Sequence, residues 1–129
     1  MSEVAYVLDA SSVIALLRDE PGAVQVRSAW PSAVIGAVNF SEVIAKLQER
    51  GATDATIDGI VMDMDVTIMP FDRNLAADAG RLRNVTRHAG LSLGDRACLA
   101  LGIQLGATVL TADKAWAALD VGVEIELIR

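Results

Sequence analysis

The chain predicts an α/β fold in which a parallel sheet is covered by helices on both faces. Three observations carry this expectation. Short β-branched runs alternate with longer segments of helical period along the whole sequence. The strand candidates are almost continuously apolar, as strands buried on both faces must be. Glycine, proline or a capping side chain marks most changes of period.

A first strand covers Val4 to Leu8, and Asp9 ends its apolar run. A helix from Ser11 or Ser12 to Asp19 stops at Pro21-Gly22, and a short helix follows from Ala23 to Trp30. Val34-Ile35 supplies a second strand. Asn39 is expected to cap the next helix, in which Phe40, Val43, Ile44 and Leu47 form an apolar stripe and Gly51 is the terminator. Thr53 opens another helix to about Met64. Val66 to Phe71 reads as the third strand, and Asp72 is a good N-cap for a long helix from Arg73 to Ala89, closed by Gly90. Ser92 caps a helix that ends near Gly106. The fourth strand, Ala107 to Leu110, leads into Thr111-Ala112-Asp113 and a short helix around Trp116, and Val123 to Ile128 makes the last strand. Trp30 and Trp116 read as packing residues rather than platforms for bases.

With 129 residues and 53% hydrophobic content, the chain can bury a real core and reads as one domain over residues 1–129. Its longest nearly apolar stretch, Ala97 to Leu110, is broken by Gln104 and by glycine, too short to span a bilayer. Met1-Ser2-Glu3 lacks a cationic secretion leader. Cys98 is the sole cysteine, so no intrachain disulfide can form; a reducing cytoplasm is expected, with the thiol as a small core residue. A net charge of -6 argues at first sight against a nucleic-acid partner, since Lys and Arg normally drive phosphate binding. Divalent cations would neutralise much of that charge if the acids are gathered to bind them. An acidic surface also suits a basic protein partner. Arg81, Arg83, Arg87 and His88 read as a solvated helix face.

Four acids stand where an ordinary acidic residue is out of place. Asp9 ends one apolar run, Asp113 follows another, Asp95 lies on the apolar side of a helix, and Glu42 opens a further helix. Burying ionised carboxylates together costs on the order of several kcal/mol each unless a cation or strong donors compensate. Each acid also has a plainer reading. Asp9 and Asp113 could be helix caps. Asn39 and Glu42 have capping-box spacing, Glu42 could pair with Lys46, and Glu42 points away from the Phe40 stripe, so taken singly it has no claim to a buried site. Ser92 and Asp95 resemble a capping pair, yet Asp95 lines up with Cys98, Leu99 and Gly102, which predicts an inward-facing carboxylate beside an exposed Arg96.

Geometry favours a shared site. In an open parallel sheet, ligands bind beyond the carboxyl ends of the strands where strand order reverses, and Asp9 and Asp113 both leave such ends. If the first and fourth strands are neighbours, the helix starts bearing Glu42 and Asp95 can point into the same crevice.

The segments Val7-Leu8-Asp9-Ala10-Ser11, Asn39-Phe40-Ser41-Glu42-Val43, Leu91-Ser92-Leu93-Gly94-Asp95-Arg96-Ala97 and Leu110-Thr111-Ala112-Asp113-Lys114-Ala115-Trp116 closely resemble the four acidic motifs of PIN-domain ribonucleases, specifically VapC-type toxins of toxin-antitoxin pairs. The resemblance spans nearly the whole chain, with no departure at the four acids. It implies a three-layer α/β/α fold with a five-stranded parallel sheet in order 3-2-1-4-5, Mg²⁺ or Mn²⁺ dependence and endonucleolytic cleavage of RNA. It also implies a homodimer and a cognate antitoxin whose C-terminal segment enters the active-site groove. Carried over by position, Asp9, Glu42, Asp95 and Asp113 become the metal-binding set, Thr111 a hydroxyl near the metals and Ser11 a second one; turn or helix capping is the plainer reading of both hydroxyls.

The chemistry agrees. Mg²⁺ takes oxygen ligands at about 2.0 to 2.1 Å in octahedral geometry, so carboxylates suit it and His88 is not needed. One ion would activate water while a second, roughly 4 Å away, would stabilise the leaving oxygen. Asp9 and Asp95 are expected to hold the principal ion, Asp113 to assist, and Glu42 to position water or the second ion. A regulator and a phosphatase that also use acidic pockets fit worse. A receiver-type phosphoacceptor needs an Asp after the third strand and a Lys after the fifth, but Asp72 leads straight into a helix and only Arg129 follows Ile128. A haloacid-dehalogenase-like phosphatase wants an Asp where Ser11 stands. A non-catalytic binding module with a degenerate acidic pocket is the remaining alternative.

Overall fold

The structure is a computed structural model that describes residues 3–129. Met1 and Ser2, on which the expectation about a leader falls, lie outside the described residues. Strand β1 (Tyr6–Leu8) is followed by helices α1 (Ala10–Leu17) and α2 (Ala23–Ala29), strand β2 (Ala33–Gly36), helices α3 (Ala37–Glu49) and α4 (Asp54–Asp63), and strand β3 (Thr67–Met69). Helices α5 (Arg73–Val85) and α6 (Leu93–Leu105), strand β4 (Thr108–Thr111), a 3₁₀ turn (Lys114–Ala118) and strand β5 (Ile125–Leu127) complete the order. The five strands are parallel in the order β3-β2-β1-β4-β5, the expected topology.

The near-continuous apolar strands follow from this arrangement. Leu8, Ile35 and Leu110 point to one face, where they pack with Val13, Ile14, Val26, Val43, Leu47 and Ile57 of α1 to α4. Val7, Val34 and Val109 point to the other, against Leu75 and Ala79 of α5 and the buried run Ala97 to Leu101 of α6. Side chains alternate across a pleated strand, so two covered faces demand an apolar residue at every position. The result is a three-layer α/β/α molecule. Trp116 is buried as expected, and Trp30 is half-buried, its Nε1 donating to Asp65 Oδ1 at 2.7 Å. Among the described residues no helix is long and apolar enough to cross a membrane.

Several boundaries differ from expectation for identifiable reasons. The outer strands are trimmed to Thr67–Met69 and Ile125–Leu127, and the central β1 to Tyr6–Leu8, each to the length that its neighbour pairs in register. Helix α3 starts at Ala37 directly from β2, so Asn39 lies buried within the first turn instead of capping it; Gly36 holds the N-cap position. Helix α5 ends at Val85 rather than Ala89. The hydroxyl of buried Thr86 donates to the Leu82 carbonyl at 2.7 Å, and Arg87–Ala89 form a separate 3₁₀ turn before Gly90 at φ 62°.

Helix α6 can lie close on β4 because Gly102 presents no side chain there. A Cβ at that position would stand 2.5 Å from Val109 Cγ2 and 3.1 Å from Val123 Cγ2. Gly102→Ala should therefore destabilise the fold by about 1–3 kcal/mol through overpacking, despite the higher helix propensity of alanine. Chemical denaturation checks this; a stability equal to or above wild type would show that the layers are not in tight contact there.

Candidate metal centre

Strands β1 and β4 are neighbours, with Leu8 in register with Leu110, and strand order reverses between them. Asp9 leaves β1 at this point, with only 6% of its surface exposed. It caps α1: Oδ1 accepts from the Ser12 amide at 2.9 Å and from the Ser11 hydroxyl at 2.7 Å. Its other oxygen accepts from the Thr111 hydroxyl at 2.5 Å. Thr111 ends β4 and is fully buried, and its Oγ1 accepts from the Asp113 amide at 3.0 Å. Ser11 Oγ accepts from the Ala112 amide at 2.9 Å, so two hydroxyls tie the ends of β1 and β4 together around one carboxylate. A further hydroxyl, Ser12, lies buried and donates to the Leu110 carbonyl at 2.7 Å.

Glu42 stands one turn into α3 and is half-buried. Its carboxylate is held by Asn39, whose Nδ2 donates to Glu42 Oε1 at 2.8 Å and to the Gly94 carbonyl at 3.0 Å. Asn39 Oδ1 is buried without a hydrogen-bond partner. Gly94 is required to be small, because a Cβ on it would overlap the Glu42 carboxylate. The site thus uses two residues, Asn39 and Gly94, whose roles the sequence pattern does not disclose. The Asn-x-x-Glu spacing is visible, but it reads as a capping box unless the start of α6 is known to lie beside it.

Asp95 is half-buried in the first turn of α6 and forms a reciprocal cap with Ser92: the Ser92 amide donates to Asp95 Oδ2 at 3.1 Å, and the Asp95 amide to Ser92 Oγ at 3.1 Å. Capping and the inward lean suggested by its helical phase therefore coexist. Arg96, expected to be exposed, is half-buried instead and its Nη1 donates to the Ala79 carbonyl of α5 at 3.0 Å. The long side chain lies along the α5–α6 seam because Ala79 opposite is small. Asp113 is exposed, with Oδ1 accepting from the Ala115 amide at 3.0 Å, and only its backbone amide is tied to the centre, through the Thr111 hydroxyl.

Electrostatics bind three of the acids into one system. Burial pushes the Asp9 carboxyl above its ordinary value, against the downward pull of the Thr111, Ser11 and Ser12 donors. Burial also raises Glu42, and the charges of Asp95 and Asp9 add to it, while Asn39 and Lys46 oppose. The wholly buried Cys98 thiol is held well above its usual range by burial and by Asp9, Asp95 and Glu42 together. Among the described residues none of the four acids enters an ion pair. They do not close into a cage: no three Asp, Glu, His or Cys side chains of the described residues converge at metal-ligand spacing. The donors fit a hard divalent cation in kind, being oxygen throughout, and in charge, since Asp9, Glu42 and Asp95 repel one another and among the described residues none is ion-paired.

A carboxyl whose folded pKa exceeds its unfolded one binds its proton more tightly when folded. Its contribution to stability is therefore fully present at low pH and is lost as pH rises through the folded value. Glu42→Gln removes that loss. In metal-free protein at neutral pH the variant should melt above wild type, with the gap closing as pH falls toward the ordinary glutamate value of 4.5. Thermal melts across pH test this, and a variant that melts lower throughout would show that burial and repulsion of the charge do not govern Glu42.

The PIN domain family matches residues 6–122 of the chain. Similar solved structures include the DNA-bound VapBC of Salmonella typhimurium, at 14% identity and a TM-score of 0.76 with all of both chains covered. A toxin-antitoxin complex from Klebsiella pneumoniae matches at 20% identity and a TM-score of 0.71, covering 94% of this chain and 100% of that one. VapBC-5 of Mycobacterium tuberculosis, from the VapBC family of toxin-antitoxin systems, matches at 24% identity and a TM-score of 0.58 over 98% of each chain. No curated protein matches the chain. At these identities the solved structures speak for the fold, and the family match, which takes in β1 through the turn after β4, carries the assignment: the chain belongs to the PIN domain family.

Proposed function

We propose that the chain is a divalent-metal-dependent endoribonuclease and the toxin of a type II toxin-antitoxin pair. In this reading it is one domain over residues 1–129, works in the cytoplasm as a homodimer, and is restrained by a cognate antitoxin. The observation that carries it is the buried Asp9 carboxylate at the strand-order reversal, with Glu42 and Asp95 close enough to raise pKa values around them and, among the described residues, none of them in an ion pair. Membership of the PIN family and the toxin-antitoxin complexes among the similar folds support it.

Asp9 and Asp95 would hold the principal Mg²⁺ or Mn²⁺, Asp113 would assist from the rim, and Glu42 would orient water or a second ion. Bound there, the metal supplies positive charge against the phosphodiester and eases deprotonation of the attacking water. The chain's own contribution is orientation. Thr111 and Ser11 fix the Asp9 rotamer by donating to opposite oxygens, and Asn39 fixes Glu42 while anchoring the first turn of α6 that bears Asp95. With such supports, little rearrangement precedes reaction.

Purified protein should cut single-stranded RNA with Mg²⁺ or Mn²⁺ and stop with excess chelator. Asp9→Asn should lower the cleavage rate by about a hundredfold or more while the circular dichroism spectrum stays native, because charge is lost at nearly constant volume. Undiminished metal-dependent cutting by the variant rejects the role given to Asp9. Binding of metal and a partner protein without any cleavage by wild type would favour the non-catalytic binding module. Thr111→Val, which keeps shape and removes the hydroxyl, should cost roughly 10–100-fold in metal affinity or rate. Calorimetric Mg²⁺ titration separates the two, and unchanged values in both would reduce Thr111 to a turn residue.

A further inference from the structure

On the α5 side of the first turn of α6 lies a cavity of about 200 Å³ lined by Arg83, Thr86, Arg87, Gly90, Leu91 and Arg96. Its charge is the reverse of the acidic centre. Three guanidinium-bearing side chains face one small space, no carboxylate lines it, and among the described residues none of the three enters an ion pair. Two of them are fastened through neutral oxygens: Arg87 Nη2 donates to Asn84 Oδ1 at 2.9 Å and Arg96 Nη1 to the Ala79 carbonyl at 3.0 Å. Arg96 Nε is buried with no acceptor at all. A chain with net charge -6 has acids to spare for neutralising three arginines, yet none is used here. Like charges held together around an unsatisfied donor are the arrangement that an anion relieves, and planar guanidinium forks match phosphate oxygens.

Local structure creates the cavity. Helix α5 ends at Val85, the Thr86 hydroxyl and amide both donate to the Leu82 carbonyl, and Gly90, with φ 62°, turns the chain back into α6. The 3₁₀ turn between them carries Arg87 off the helix axis. What reads in sequence as a solvated basic face is in part a three-walled pocket completed by Arg96, which immediately follows Asp95.

We propose that this cavity binds a backbone phosphate of the RNA strand, away from the scissile bond, so that the strand crosses the first turn of α6 between the basic pocket and the acidic centre. The assignment of RNA as occupant rests on the function proposed above. The phosphate site itself rests only on the pocket. An acidic centre repels polyanions until its charge is offset, so a separate cationic anchor supplies attraction that the catalytic face lacks.

Two measurements test the site. In the first, inorganic phosphate is titrated into ¹⁵N-labelled metal-free protein, and the Arg96 Nε–Hε signal is followed by NMR. A saturable shift of that signal, abolished in Arg83→Gln/Arg87→Gln, is expected; no shift overturns the site. In the second, a fluorescent single-stranded RNA 12-mer is bound in excess chelator and followed by anisotropy at several salt concentrations. The double variant should bind roughly tenfold more weakly, with the slope of log affinity against log salt shallower by about 0.7 for each phosphate it no longer engages. Arg27→Gln, on the exposed face of α2, serves as the charge control. Equal weakening by Arg27→Gln, or an unchanged slope in the double variant, overturns the site even if wild type cleaves RNA normally. A phosphate shift at Arg96 in a protein that neither binds nor cuts RNA instead removes the RNA occupant along with the proposed nuclease function.

Discussion

The carboxylate of Asp9 and the three protein donors turned toward it form the constraint around which the rest of the molecule is arranged. An acid 6% exposed at the end of a central strand is a liability in a metal-free fold. The Ser12 amide and the Ser11 and Thr111 hydroxyls offset part of the cost, and because Thr111 belongs to the neighbouring strand they also lock β1 to β4 beyond their last ladder hydrogen bonds. The same bonds that make ionisation tolerable therefore fix where the carboxylate points. Full compensation is absent, as the upward pull on its pKa records.

A second set of interactions brings the remaining acids toward this anchor. Helix α3 crosses close to the start of α6 only because Gly94 leaves room for the Glu42 carboxylate, and Asn39 bridges the two elements from within the first turn of α3. Helix α6 in turn lies flat on β4 through Gly102. Small residues set the spacing, and the acids inherit it. The arrangement stops short of a closed cage, with Asp113 exposed at the rim and Asp95 half-buried.

Much of this architecture is legible in the chain. Apolar strands between amphipathic helices define the layers, and the acids Asp9 and Asp113 at strand ends define the crevice, because burial and backbone termini leave periodic marks. Strand order comes from the family resemblance, since periodicity carries no information on neighbours. Asn39 reads as a cap for a physical reason: an N-cap and a buried amide one turn inside a helix have the same sequence appearance when the helix starts directly from a strand. Arg96 reads as exposed because helical phase describes one helix against one core and says nothing of a second helix with an alanine opposite. The early end of α5 at Val85 is hidden because no glycine or proline announces it; the Thr86 hydroxyl joins its own amide on the Leu82 carbonyl, a local bond that periodicity does not register.

The bond between Thr111 and Asp9 spans 102 positions along the chain. During synthesis the first acid emerges early, but its orienting hydroxyl and the rim acid at 113 are made only after every element from β1 to α6 has left the ribosome's catalytic centre. A nascent fragment that stops short of β4 thus carries a carboxylate with only its local donors, Ser11 and Ser12, and a central strand open along one edge. The clamp is completed only once β4 is made, so a product that ends before it holds Asp9, Glu42 and Asp95 without the hydroxyl that ties β1 to β4.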